Sequence, residues 1–302
     1  MKDKLQRFLF EDKDIRGETV QLDESWTKIL SHHEYPPIIQ QYLGEMMAAT
    51  VLLAATLKIE GSLSIQASGN GKINLLITEC RNNLSIRAIA KYNKKEFTQD
   101  EQQFKQHSNQ QAEETADLST LLAKGSLVIT IEQTNGQRYQ GIVQIKGNSI
   151  ATMLENHLLQ SEQLKTKIFL ASSSHKSAGL LLQELPHQDE AIHNEDWNEM
   201  SLLADTLTQN EILSLDGKEI TYRLFNEYDI RQFDPEPVQF ECTCSQEKVS
   251  KMLLSLDYQE AKNIIHQSEF IEVACEFCNQ QYRFDELDIS EIFSEQQKPT
   301  LH

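Results

Sequence analysis

Hydrophobic residues in the first two-thirds of the chain recur either at every second position or at helical spacing. The alternation of Leu63, Ile65 and Ala67 is typical of a half-buried strand, and a glycine-rich turn at 69–71 separates it from a second such run. A similar pair of runs flanks 135–136, so we expect two β-hairpins. In all, the pattern predicts strands within 5–22, with a turn at Arg16-Gly17, and at 63–67, 73–78, 84–90, 127–131, 138–145 and 167–171.

Three further segments have the spacing of helices. Trp26, Ile29 and Leu30 predict a short helix, and 149–160 is amphipathic. The longest helix is predicted to open at Pro36-Pro37, because proline suits a first helical turn, and to run to about residue 58. Alanines, methionines and leucines occupy all sides of this helix, so most of its circumference should be buried. Its apolar run, 46–57, is too short to cross a bilayer. The fold class is therefore α+β, with a β-sheet packed against helices.

Two polar stretches interrupt this pattern. The segment 68–72 contains two glycines and a lysine, which suggests a phosphate-binding loop. It lacks the Walker spacing and precedes a strand rather than a helix, so a hairpin turn is the favoured interpretation. The glutamine-rich segment 94–114 predicts a mobile surface loop.

The character of the chain changes after residue 182. Between 184 and 216 there are nine acidic residues and neither lysine nor arginine. Repulsion between these charges should weaken the docking of a helix that carries them. We therefore predict an acidic helical linker that is folded but only marginally stable, and the alternative is an ordinary acidic connector. Apolar residues that would dock it are Trp197, Met200, Leu202, Leu203, Leu207, Ile212 and Leu213.

Four of the five cysteines form two short pairs near the C-terminus. Cys242 and Cys244 are separated by one residue, and Cys275 and Cys278 by two, with thirty residues between the pairs. Thiolates are the ligands that Zn²⁺ prefers in closed structural sites, and two such pairs commonly complete a tetrahedral Cys₄ site. The spacing predicts one Zn²⁺ bound by these four side chains.

The residues around the two pairs predict a small folded module. We expect helices at 246–256 and 258–266, a strand at 270–273, a short strand within 279–284 and a last helix at 285–293. On the first helix the predicted inward residues are Val249, Met252, Leu253 and Leu256. About sixty residues with so few large apolar groups make a marginal core, and a structural metal is the usual remedy.

Other interpretations of the cysteines are weaker. Two local disulfides are typical of secreted frameworks, which are richer in cysteine than this chain. A thioredoxin-like motif should open a helix after a buried strand, whereas Cys278 precedes a strand-like alternation. The fifth cysteine, Cys80, lies at a strand end and is predicted to be a buried small residue with no part in the cluster.

Net charge and the N-terminal pattern narrow the possible partners and compartment. The chain has 46 acidic and 28 basic residues, a net charge of −18, and this disfavours nucleic acid as a partner. The N-terminus has no continuous apolar segment of the kind found in signal peptides. Together with cysteines expected to be reduced, this predicts a cytoplasmic protein that has no membrane partner.

Taken together, these residues resemble the heat shock protein 33 family of redox-regulated bacterial chaperones. The similarity covers nearly the whole length, and its most specific part is the pair of motifs at 240–245 and 275–278. Asn279 departs from the family, which more often has glycine there, but asparagine tolerates the left-handed conformation that such a turn needs. Further matching stretches are 35–36, 43–50, 52–58, 138–141, 161–164 and 181–183.

The resemblance implies a three-part chaperone that is not an enzyme. Its parts would be an α+β core at 1–179 that binds clients and dimerises, a metastable linker at 180–232 and a zinc redox switch at 233–302. Family members are inactive when reduced and zinc-bound. The resemblance implies that oxidation forms the disulfides Cys242–Cys244 and Cys275–Cys278 and releases zinc. The linker then unfolds, and the protein binds unfolded proteins without ATP. The active form is often a homodimer and the reduced form a monomer, and clients pass later to ATP-dependent chaperones.

Two other functions are compatible with the sequence. An adaptor with a permanent zinc module would dock a specific protein partner and would keep its zinc, or lose activity, when exposed to peroxide. A thiol–disulfide oxidoreductase would turn over a model dithiol substrate.

Overall fold

The computed structural model describes residues 3–57, 60–97, 117–145, 149–186 and 190–296. Ten helices are described: α1 Glu24–Leu30, α2 Pro37–Thr56, α3 Leu118–Leu122, α4 Ile150–Ser161, α5 Glu190–Ala204, α6 Gln209–Ser214, α7 Gly217–Phe225, α8 Gln246–Leu253, α9 Tyr258–Ser268 and α10 Glu286–Gln296. The first nine strands are β1 Lys4–Phe10, β2 Ile15–Leu22, β3 Gly61–Ser68, β4 Ile73–Arg81, β5 Ser85–Tyr92, β6 Ser126–Gln133, β7 Arg138–Gln144, β8 Thr166–Ser172 and β9 Ser177–Glu184. The last five are β10 Ile230–Gln232, β11 Glu236–Pro237, β12 Gln239–Phe240, β13 Ile271–Ala274 and β14 Gln281–Phe284.

These elements form two compact units, Met1–Glu241 and Cys242–His302. The larger unit contains two sheets. Sheet one has the strand order β10-β1-β2-β9-β8, with β11 also pairing with β1, and sheet two has the order β12-β5-β4-β3-β6-β7. Both predicted hairpins are present, as β3–β4 and β6–β7, and the predicted α+β class is confirmed. The turn at 69–71 joins two strands, as expected of a hairpin rather than a phosphate loop.

Helix α2 lies between the two sheets. Its residues contact β2, β8 and β9 of sheet one and β3, β4 and β5 of sheet two, and from Tyr42 to Thr56 every residue is buried. Gly44 allows the closest approach, because a side chain there would overlap Ser172 on β8. By length and composition α2 is able to span a membrane, but 83% of the apolar window is buried inside the protein, as expected for a core helix. The predicted helix and its burial are both confirmed, although its apolar stretch is longer than the run 46–57 on which the expectation about a bilayer rested.

Helices α5, α6 and α7 cover the other face of sheet one. Trp197, Met200 and Leu207 pack with Phe10 and Leu182 in an apolar cluster that is separate from the one around α2. The acidic segment is therefore helical, as predicted, and its apolar residues do dock. The prediction was wrong for Leu202, which is 69% exposed, because it lies on the opposite side of α5.

The acidic helices also receive positive charges from the rest of the unit, which corrects the expectation of unrelieved repulsion. Lys13, in the β1–β2 turn, lies 2.5 Å from Asp196 and 3.8 Å from Glu199, and its side chain is only 11% exposed. The neighbouring carboxylates raise the pKa of Lys13, chiefly through the hydrogen bond to Asp196. Lys167–Asp205 and Lys4–Asp216 are further pairs of this kind, while Arg223 of α7 pairs with Glu211 of α6 and Lys165 pairs with Glu184 at the end of β9.

Other predictions need correction or fall outside the described residues. The turn expected at Arg16-Gly17 lies earlier, at 11–14, and Gly17 is inside β2. Glycine is needed at this position because the ring of Phe8 occupies the space where a side chain would stand. Of the predicted loop at 94–114, residues 94–97 form a helical turn and the rest lies outside the described residues.

The three-part division remains a prediction, although its first boundary falls within a sheet strand and its second lies just after one. Residue 179 lies inside β9, and 233–241 contribute β11 and β12 to the larger unit. The compact unit that contains the cysteine pairs begins at Cys242.

Glu18 on β2 gives the larger unit a testable pH dependence. Burial raises its pKa from 4.5 to about 7, against the opposing effect of Arg7, whose Nε lies 3.5 Å away. Between these two pH values the folded protein holds a proton that the unfolded chain has lost. The contribution of Glu18 to stability is therefore full below the unfolded pKa and falls by about 3 kcal/mol as the pH rises through the folded pKa.

We expect Glu18→Gln to flatten this dependence, because glutamine does not titrate. Urea unfolding of both proteins at about pH 5 and about pH 8 should show the wild type losing more stability than the variant over that interval. Parallel losses in the two proteins would contradict the assignment.

Candidate metal centre

The smaller unit folds around its own apolar cluster. Val249 and Leu253 of α8 pack with Ala261 and Ile265 of α9 and with Phe284 of β14. The predicted elements are all present, and β13 and β14 form an antiparallel pair from Ile271↔Phe284 to Ala274↔Gln281. One predicted core residue is wrong: Met252 is 51% exposed, whereas Val249 and Leu253 on the same helix are buried.

Two local structures present the cysteines. Cys242 and Cys244 lie in the extended segment before α8, where the hydroxyl oxygen of Ser245 accepts a hydrogen bond from the backbone N–H of Lys248 and caps the helix. Cys275 and Cys278 lie in the turn between β13 and β14.

The turn between β13 and β14 is closed by backbone hydrogen bonds. The N–H of Asn279 donates to the carbonyl oxygen of Cys275 at 2.8 Å, and the N–H of Cys275 donates to Gln280 at 2.9 Å. Asn279 has φ of 55°, the left-handed conformation that the sequence predicted for this position. Asparagine therefore serves here where glycine would otherwise be expected.

The four sulfur atoms lie within 4.8 Å of one another. Cys242 Sγ is 3.6 Å from Cys275 Sγ, and Cys244 Sγ is 3.4 Å from Cys278 Sγ. These separations are too long for disulfides, whose S–S bond is about 2.05 Å. Four sulfurs at about 2.3 Å from a tetrahedral Zn²⁺ would lie about 3.8 Å apart. The donor set and its spacing therefore fit a tetrahedral thiolate metal site.

The thiols in this cluster differ in acidity. Burial raises the pKa of Cys242 and of Cys278. Burial acts in the same direction on Cys244, but hydrogen bonds from the hydroxyl of Tyr282 and from the other thiols outweigh it and lower the pKa of Cys244. The bond to Cys244 in turn raises the pKa of Tyr282 to about 12. Cys244 is therefore more readily ionised than Cys242 or Cys278.

The sequence did not identify Tyr282 as a residue of this site. The alternation at 279–284 predicted a strand, but nothing in it indicated that the hydroxyl would face Cys244. Cys80, by contrast, lies in the other unit on β4, fully buried, and burial raises the pKa of its thiol to about 12. Its predicted burial is confirmed.

Comparison with known proteins identifies the family of this chain. The family model described as "Hsp33 protein" matches residues 3–285. The chain belongs to the Hsp33 protein family. Two similar relatives are both named 33 kDa chaperonin: one from Nitrosococcus oceani is 40% identical, covering 98% of this chain and 96% of the relative, and one from Ectopseudomonas mendocina is 42% identical, covering 97% and 96%.

A solved structure shares the fold of this Hsp33 family member. The crystal structure of the 33 kDa chaperonin from Thermotoga maritima matches with a TM-score of 0.78 at 17% identity, covering 97% of this chain and 98% of the other. Family membership identifies a chaperone, which binds unfolded client proteins. The four cysteines of the smaller unit could hold a metal ion.

Proposed function

We propose that this protein is a redox-regulated, ATP-independent holdase that is inactive when reduced and zinc-bound. The observation that carries the proposal is the cluster of four thiols within 4.8 Å of one another in a small unit. In such a protein the state of the thiols decides whether the unit is folded. Because the chain belongs to a chaperone family, the activity that the thiols would control is the binding of unfolded proteins.

Cys242, Cys244, Cys275 and Cys278 are the residues that would hold Zn²⁺. When bound, the ion neutralises thiolate charge and fixes the extended segment before α8 to the turn after β13. Tyr282 donates a hydrogen bond to Cys244 and so orients its sulfur.

Oxidation would remove more stability than it adds. Structural zinc contributes roughly 10–16 kcal/mol of apparent binding free energy to small modules. A disulfide that closes a loop of three or four residues contributes only about 2 kcal/mol on the chain-entropy estimate. Two local disulfides therefore do not replace the metal, and the oxidised unit would unfold.

The proposed redox step is balanced by a peroxide or hypochlorous acid. Each pair of thiols loses two electrons and two protons as the S–S bond forms. Hydrogen peroxide takes up both electrons and both protons and leaves as two water molecules. Hypochlorous acid takes up both electrons and one proton and leaves as chloride and water, and the second proton passes to solvent. Two equivalents of oxidant convert four thiols into two disulfides.

The effect would reach the acidic helices through the chain itself. Only Glu241 separates β12 from Cys242, and β10, β11 and β12 are strands of two or three residues. Such short strands contribute little stability of their own. Once the cysteine unit unfolds, we infer that these strands and then α5–α7 separate from sheet one, exposing the cluster around Phe10 and Leu182 to unfolded clients.

The proposal includes further properties that the resemblance implied. The reduced protein would be a monomer and the oxidised one a homodimer, acting in the cytoplasm without enzymatic turnover. Bound clients would later pass to ATP-dependent chaperones.

The pairing of the disulfides has its own test. In the folded cluster the close sulfur contacts join Cys242 to Cys275 and Cys244 to Cys278, whereas the proposed disulfides are Cys242–Cys244 and Cys275–Cys278. Trypsin cleaves after lysine and arginine, so Cys242 and Cys244 fall in peptide 232–248, and Cys275 and Cys278 fall in peptide 263–283. We expect non-reducing mass spectrometry of the oxidised protein to find each peptide alone and two mass units lighter. Covalently joined peptides would overturn this pairing.

The function is tested by measuring zinc, free thiols and aggregation of a guanidinium-denatured client before and after peroxide treatment. We expect zinc release, loss of four thiols and gain of chaperone activity together. An adaptor with a permanent zinc module would instead keep its zinc or gain no activity. Either result would contradict the proposal.

A further inference from the structure

Strand β7 forms one edge of sheet two. It is last in the strand order, and within the described part of the chain no strand lies beyond it. Its pairing with β6 is regular, from Ser126↔Gln144 to Glu132↔Arg138. Natural edge strands are usually blunted by lysine, proline, a bulge or inward charges. The seven residues of β7 contain no proline or lysine, and their one charge, Arg138, is at the end.

The outward backbone groups of this edge can be assigned from its hairpin. The N–H of Gln133 donates to the carbonyl oxygen of Gln137, and hydrogen-bonded and non-hydrogen-bonded pairs alternate along an antiparallel ladder. Tyr139, Gly141 and Val143 therefore bond to β6. The remaining residues direct their N–H and C=O groups away from the sheet: Arg138, Gln140, Ile142 and Gln144.

The outward residues are also accessible. All four are exposed, and Ile142 is 73% exposed although it is a large aliphatic residue. A row of available backbone donors and acceptors beside exposed apolar surface is a template on which another extended chain can pair.

An apolar cleft adjoins the same strand. It has a volume of 240 Å³, and its lining includes Leu53, Leu57, Ile131, Tyr139, His157 and Leu158. Gly141 keeps it open to the strand, because a Cβ atom at this position would lie 2.7 Å from Nε2 of His157. Strand addition commonly combines main-chain hydrogen bonds with a pocket for alternate side chains of the added segment. Both parts are present here.

We propose that β7 binds an extended segment of an unfolded polypeptide as an added strand, with an apolar side chain of that segment in the cleft. The inference rests on the proposed holdase function and names one of its client contacts. The net charge of −18 on the whole chain favours neutral or basic segments over acidic ones. A second copy of β7 fits less well, because its Tyr139 and Val143 already face its own cleft and core.

The binding test uses a synthetic peptide of alternating apolar and basic residues. Methylating its amide nitrogens at every second residue blocks the N–H groups on one edge only. We expect one of the two alternately methylated peptides to bind the oxidised protein about tenfold or more weakly than the unmethylated one, since two or three hydrogen bonds are lost. Methylation of the other set should leave affinity unchanged. Equal affinities for all three peptides would overturn strand addition.

The location is tested by two variants and a control. Gln140→Pro removes an outward N–H at a position where proline is tolerated in an edge strand, and Ile142→Lys adds an edge charge without altering the ladder. Both should weaken peptide binding and aggregation suppression. Leu159→Lys is the matched control, because Leu159 is also an exposed aliphatic residue of this unit but lies on α4. Binding that is unchanged in Ile142→Lys, with the fold intact by circular dichroism, would overturn the location.

Amide hydrogen exchange separates this inference from the function on which it rests. With peptide, the amides of Arg138, Gln140, Ile142 and Gln144 should become protected in the oxidised protein. Protection that arises without peptide and increases with protein concentration would show a second copy on the edge and would overturn the client assignment. If oxidised wild type fails to suppress aggregation at all, the proposed function fails. If the oxidised wild type suppresses aggregation while these four amides remain unprotected with peptide, only the proposed β7 contact is wrong.

Discussion

Replacing Trp197 and Leu207 together by alanine is expected to make the fully reduced protein an active holdase. Both side chains are buried where α5 and the following turn pack on sheet one. Truncating a buried tryptophan and a buried leucine removes roughly 5–10 kcal/mol of packing energy, which is comparable with the whole stability of a domain. The acidic helices should then separate from the sheet while the four cysteines remain reduced and zinc-bound. Light scattering of an unfolding client under reducing conditions measures the result.

The matched control is Leu202→Ala, on the same helix but 69% exposed, which should leave the reduced protein inactive. Cleavage by a glutamate-specific protease after Glu195 or Glu199 would report that α5 has opened. A variant that is cleaved rapidly, retains zinc and yet lets the client aggregate would contradict the role of the acidic helices as a cover.

Replacing Cys244 by serine should abolish tight metal binding and unfold the smaller unit. Its sulfur is one of four that would complete the tetrahedron, and its lowered pKa favours the thiolate form that a metal binds. Losing one thiolate ligand removes much of the roughly 10–16 kcal/mol that structural zinc contributes to such a unit. Metal analysis of the purified protein and amide exchange across 246–293 would measure the two effects.

Cys80→Ser is the control for this prediction. Cys80 lies in the other unit, fully buried on β4, so the variant should retain zinc and its response to peroxide. Full zinc retention in Cys244→Ser would exclude this cysteine as a ligand. Loss of the peroxide response in a folded Cys80→Ser protein would show that the redox site is larger than four cysteines.

Much of the fold could be predicted because it depends on local pattern. Alternation identified the strands of both hairpins, and the spacing of the cysteines identified the cluster without knowledge of any other residue. Asn279 could also be interpreted from its type, since few residues adopt the left-handed conformation that the turn requires.

The features that could not be predicted depend on distant partners. The sequence predicts a turn at Gly17, yet this position is glycine because Phe8 on the neighbouring strand covers it. The pair Lys13–Asp196 joins residues 183 positions apart, so the local sequence of the acidic segment does not reveal its compensating charge. In the same way, helical spacing identified the apolar residues of α5 but did not exclude Leu202 from the docked side.

The ion pairs between the acidic helices and lysines elsewhere in the larger unit have a consequence for solubility. While docked, Asp196, Glu199 and Asp205 lie beside Lys13 and Lys167. Once released, they would belong to a flexible polyanionic segment with no base of its own between 184 and 216. Like-charged chains of this kind repel one another and keep particles dispersed in solution. The segment that covers the apolar sheet in the resting protein would thus act, after release, as a colloidal stabiliser of the complexes that form on it.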